Sequence, residues 1–128
     1  MTTESWQPVQ AASTIDETST AKLLELAQQF TQNQMQLASE DMSWCAQLAQ
    51  AKHDAWVNFA SELKADALEH CIRLLTVVEQ EQNLGLAERS PVIVLFKQHK
   101  KLSGINRDLV QWVKAHTENK FLPFGPIM

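Results

Sequence analysis

Apolar residues recur along most of the chain at spacings of three, four and seven, the period of helices that bury one face. Leu23, Leu26, Ala27, Phe30 and Leu37 form the first such stripe. It predicts a helix over about 20–38, capped at Ser19 or Thr20, with Gln28, Gln29, Gln32, Asn33 and Gln36 as an uncharged polar face. Ser39, Glu40 and Asp41 read as a restart, because serine caps well and acidic side chains suit the positive end of the helix dipole.

From Glu40 to Asn83 the pattern continues without a glycine or proline. Trp44, Leu48, Ala51, Ala55, Phe59, Leu63, Ala67, Cys71, Leu74 and Val78 share one stripe, and Leu68, Ile72, Leu75 and Glu79 run beside it. A single helix over this stretch would be roughly 65 Å long at 1.5 Å per residue. That exceeds the width of a compact domain of this size. Either the helix breaks near His53 and Asp54 or near Ser61, or the molecule is elongated and its helices associate.

Asn83 and Gly85 form a stop signal, and Ser90 followed by Pro91 a start signal for a helix over about 91–102. The β-branched run Val92, Ile93, Val94 makes a short strand the rival reading. Ser103 and Gly104 close this element, and Asn106 caps a last helix carrying Leu109, Val110, Trp112 and Val113. The eight residues from Phe121 to Met128 contain no polar side chain. The resulting expectation is all-α: an elongated helical hairpin or bundle with two shorter C-terminal helices. Residues 1–17 are expected to form a mobile tail, 18–120 a single helical domain, and 121–128 an apolar tail docked on the chain's own core, in its oligomer or on another protein.

Composition supports that class. With only three glycines in 128 residues, the frequent turns of an all-β fold have few places to go. A hydrophobic content of 45% with 20% charged residues excludes a wholly disordered chain. The start of the sequence lacks a basic and then apolar leader, and no apolar run approaches about 18 residues, so neither a secretory signal nor a membrane span is expected. Cys45 and Cys71 follow no CxxC spacing and read as reduced thiols of a cytoplasmic protein.

The net charge of −4 hides an asymmetry. Residues 1–84 hold four basic and twelve acidic residues, net −8, whereas residues 85–128 hold seven basic and three acidic, net +4. Opposite halves favour antiparallel or intermolecular packing, although exposed pairs contribute only tenths of a kcal/mol each.

Catalytic and metal signatures are missing. Di-iron bundles need Glu-x-x-His pairs, which do not occur. Asp66 and His70 share a helical face, but a solvated surface pair is the simpler reading, and His53, His99 and His116 stand without partners at ligand spacing. There is no Gly-x-Ser-x-Gly and no glycine-rich phosphate loop, so no catalytic residue, metal or cofactor is assigned. An enzyme of unrecognised class ranks third among the functional readings.

The first reading is a non-catalytic interaction or adaptor protein that self-associates, as a dimer, through its long amphipathic helices. Trp44, Trp56 and Phe59 are its candidate interface, with Phe121, Leu122 and Phe124 of the tail able to reach the same oligomer or another protein. A lipid-surface role is disfavoured because Glu62, Asp66 and Glu69, rather than Lys or Arg, flank the apolar stripe. The alternative is a DNA-binding regulator, since residues 90–117 have the outline of a helix-turn-helix. Lys97, Lys100, Lys101, Arg107 and Lys114 would make its contacts, against the acidic balance of the whole chain.

Overall fold

The computed structural model describes residues 15–34 and 36–125. Among them there are six α-helices and no strand: α1 (Glu17–Gln32), α2 (Ser39–Leu48), α3 (His53–Ser61), α4 (Ala65–Glu81), α5 (Pro91–Ser103) and α6 (Arg107–His116). A 3-10 turn, Ala87–Arg89, leads into α5. α4 is the centre of the bundle, packing against α1, α2, α5 and α6, while α3 packs on α5. The chain is all-helical, and the rival strand at Val92, Ile93 and Val94 is replaced by the first turn of α5.

Local chemistry accounts for most helix ends. α1 begins at Asp16 rather than at Ser19 or Thr20: the Asp16 carboxylate accepts from the Ser19 amide at 2.7 Å. That bond holds the exposed carboxyl below its ordinary range. α1 ends at Gln32, short of the expected 38, where Gln34 turns left-handed at φ 57°. Leu37 therefore sits in the connecting loop, half-buried against the core. The expected tail of residues 1–17 also shortens, since Ile15 packs on the core and Glu17 is helical; residues 1–14 lie outside the described residues.

The long stripe from Glu40 to Asn83 is three helices. Lys52 and Lys64 adopt extended backbone and break it twice, near both of the positions suggested by the sequence. Ser61 donates its hydroxyl to the Asn58 carbonyl at 2.7 Å, closing the last turn of α3. The breaks let α2, α3 and α4 turn their apolar faces toward a common interior that a 65 Å rod would have left open.

α4 ends in a Schellman motif. Asn83 is left-handed at φ 53°, the Leu84 amide donates to the Glu79 carbonyl at 3.1 Å, and the Asn83 amide donates to the Gln80 carbonyl at 3.3 Å. Ser90 then caps α5, accepting from the Val92 amide at 3.1 Å, with Pro91 in the first turn. Gly104, at φ 77°, ends α5, and Asn106 caps α6 by accepting from the Leu109 amide at 3.1 Å.

The core includes Leu23 and Phe30 of α1, Trp56 of α3, Leu68, Ile72, Leu74, Leu75 and Val78 of α4, Val92, Leu95 and Phe96 of α5, and Leu109 and Val113 of α6. After α6 the chain folds back over this core. The Glu118 amide donates to Gln80 Oε1 at 2.9 Å, and the Asn119 amide side chain donates to the Ala87 carbonyl at 2.9 Å. Leu122 and Pro123 are buried and Phe121 is half-buried, so residues 121–125 are docked in cis; residues 126–128 lie outside the described residues.

Candidate interaction site

The aromatic trio proposed as an interface divides. Trp56 and Phe59 are buried within the chain, edge to face with ring centroids 5.2 Å apart. They belong to the core, because the break at Lys52 turns α3 inward onto α5. Trp44 is half-buried, its ring covered by Lys22 Nζ at 4.5 Å from the centroid. Among the tail residues Leu122 is buried and Phe124 is 41% exposed, standing edge-on to Phe96 at 5.3 Å and 5.7 Å from Lys114 Nζ.

The most open apolar surface is the corner where α5 meets α6. Val92, Leu95, Phe96 and His99 point inward along α5, and Leu102 continues that row in periodicity. Yet Leu102 is 51% exposed and Ile105 53%, because residues 100–105 run beyond the edge of the bundle. Lys100, Lys101 and Arg107 flank them, and Lys97 and Lys114 are also exposed. None of these five cations is in an ion pair among the described residues, where the Arg73–Glu69 bridge is the one present. Sequence reading found the cations but not the apolar pair between them, since Leu102 carries the spacing of a core residue.

A second surface lies on the opposite sign of charge. Residues at the start of α1 and in and just after α3 line a groove of about 490 Å³, among them Ile15, Leu24, Phe59 and Leu63, with Glu17 and Glu62 among its polar residues. Neither carboxylate is in an ion pair among the described residues. No spacing in the sequence marks this groove, because its walls come from helices that are not adjacent in the chain.

Glu79 is the one deeply buried carboxyl among the described residues, at 6% exposure. It accepts the Ser90 hydroxyl at 2.5 Å, tying α4 to the start of α5. Burial pushes its pKa up to about 7, opposed in part by the Ser90 bond. A cavity of about 370 Å³ beside it is lined by Gln80, Asn83, Thr117 and Asn119. The position was visible in the sequence as a carboxylate on an apolar stripe.

The remaining candidates do not converge. Asp66 is exposed and His70 half-buried, with no hydrogen bond between them among the described residues. Cys45 and Cys71 are buried free thiols whose pKa burial raises to about 12, which leaves them unreactive as nucleophiles near neutrality. His99 Nδ1 and Trp56 Nε1 are buried without a hydrogen-bond partner among the described residues. No helix among the described residues is long and apolar enough to cross a membrane. No family model matches the chain, and neither a curated protein nor a solved structure matches it significantly.

Proposed function

We propose that the protein is a non-catalytic helical interaction module of the cytoplasm that assembles with copies of itself. The observation that carries this reading is the α5–α6 corner, where Leu102 and Ile105 stand exposed between Lys100, Lys101 and Arg107. Contiguous exposed apolar surface rimmed by polar residues marks interaction sites, and here two large apolar side chains stand exposed three residues apart at one helix end. The surface differs from the long-helix interface that the sequence suggested, since the stripes of α3 and α4 are consumed by the core. Buried free thiols suit a reducing compartment. Light scattering on the intact chain across a dilution series tests the proposal: concentration-dependent mass supports it, and a monomer at every concentration overturns it.

DNA binding stands as the second reading, on the exposure of Lys97, Lys100, Lys101, Arg107 and Lys114 on consecutive helices. Against it, α5 and α6 each pack chiefly on α4, whereas helix-turn-helix partners brace one another. Fluorescence anisotropy with a labelled duplex at low salt decides it, since a phosphate-driven interaction must weaken steeply as salt rises.

A further inference from the structure

We infer that the partner of the basic α5–α6 corner is the acidic α1–α3 groove of a second copy, giving head-to-tail rather than two-fold association. The inference rests on the self-association reading above and assigns its two surfaces. The two are complementary in charge, and both expose apolar side chains. Leu102 and Ile105 are both exposed, in sequence between Lys100 and Lys101 on one side and Arg107 on the other. The groove is an open apolar cleft formed by Ile15, Leu24, Phe59 and Leu63, and it carries Glu17 and Glu62. Among the described residues both sites are open, on different helices, and their charges are unpaired. The two regions also carry the opposite net charges of the chain's two halves.

An interface in which one patch meets a different patch leaves a free patch at each end of every complex. Assembly therefore continues past a dimer into rings or open chains as concentration rises. The surfaces are small, so the association is weak and concentration-dependent. Opposite charges at its rim speed encounter and fix register more than they add affinity, which makes assembly weaken with salt.

The experiment is sedimentation velocity on the intact chain and on single variants, with helical content and melting checked by circular dichroism. Ile105→Asp disables the corner and Glu62→Lys the groove, both at surface positions. Each alone is expected to weaken assembly about tenfold or more. Mixed together, the two variants should form dimers that stop there, because each brings one intact surface. Combining Arg107→Glu with Glu62→Lys in one chain should recover part of the lost assembly by swapping the charges.

Assembly of the wild type that ignores these substitutions, or variants that fail to complement on mixing, overturns the head-to-tail assignment and leaves self-association standing. A wild type monomeric throughout overturns both, including the case in which the corner binds duplex DNA instead. Assembly that appears only when residues 1–14 are deleted assigns the groove to the chain's own N-terminal segment and overturns the second copy.

Discussion

α4 and α6 carry the same kind of pattern, apolar residues on one side and polar on the other, and come to opposite ends. α4 is enclosed by α1, α2, α5 and α6, so that even Thr76 and Glu79 on its flank are buried. α6 rests mainly on α4, buries Leu109 and Val113, and leaves Arg107, Asp108, Gln111 and Lys114 in water. A helix's pattern therefore states which face it buries, while the number of neighbours decides how much of the remainder follows. On the enclosed helix polar residues such as Thr76 and Glu79 are drawn into the interior, while on the peripheral one Arg107 and Lys114 stay in water without an ion pair among the described residues.

The strongest way to break this comparison is to make the same deletion in both helices. Leu75 of α4 and Leu109 of α6 are both fully buried. Leucine-to-alanine changes in cores cost about 2–5 kcal/mol, depending on how far the surroundings collapse into the space. Leu75→Ala is expected near the top of that range and Leu109→Ala near the bottom, since α6 can shift toward α4 from the edge. Urea unfolding measures both, and equal losses would show that enclosure does not matter here.

Glu79 gives the next largest effect, through pH. Burial favours its neutral form, so the folded chain holds this proton up to about pH 7, against an ordinary value of 4.5. As pH rises from the ordinary value toward 7, the unfolded chain gains from ionising and the folded chain does not. Its contribution is thus fully present in acid and lost as the pH approaches and passes the folded value, by about 3 kcal/mol at most. Glu79→Gln keeps an acceptor for the Ser90 hydroxyl and removes the titration. The difference in stability between variant and wild type should grow in the variant's favour from acid to pH 8. A constant difference across that range would sink the assignment.

How much of this contrast was legible in the sequence varied by feature. The caps at Ser90 and Asn106 and the stop at Asn83 and Gly85 were readable because each is a local bond or a left-handed residue. The breaks at Lys52 and Lys64 were faint, since neither has a glycine, a proline or a side-chain cap. They do share one cue: a lysine at the cap and, two residues on, Asp54 or Asp66 in the first turn, where a negative charge favours the helix dipole. That cue is too weak alone to outweigh the continuous stripe around it; tertiary packing supplies the rest. For the same reason Trp56 and Phe59 looked like an interface, because on an unbroken helix they would have outrun the cover available. The groove and the exposure of Leu102 had no local signature, as both depend on where other helices stop.

Removing the C-terminal end of the chain should leave α6 tied to α4 by Glu118 and Asn119 but uncover part of the core. Residues 117–125 tie the end of α6 to the end of α4 through Gln80 and to the turn before α5 through Ala87. Deleting residues 121–128 exposes the site of buried Leu122 and Pro123, a loss of about 2–3 kcal/mol. Differential scanning calorimetry should show a melting temperature lower by roughly 10 °C. Light scattering should find the mass unchanged, because these residues pack in cis; a reduced mass would move the tail into the interface.

The smallest effect tests the seam between α4 and α6. Arg73 of α4 is held by Glu69 one turn earlier, its Nε and Nη2 donating to the same carboxylate oxygen at 3.2 and 2.9 Å. This places the guanidinium carbon 4.9 Å from the centroid of the Trp112 ring on α6, whose indole also stacks on His116 at 4.0 Å. A cation over an indole at a partly exposed site contributes about 0.5–1 kcal/mol. The coupling between Arg73→Ala and Trp112→Ala in a double-mutant cycle should fall in that range. Glu69→Gln tests what the ion pair adds. It keeps an acceptor for Arg73 but frees the guanidinium from a fixed charge, so the Arg73–Trp112 coupling should shrink without vanishing. A coupling of zero would mean that the aromatic seam adds nothing to the hold that Leu109, Val113 and the Glu118–Gln80 bond give α6 on α4.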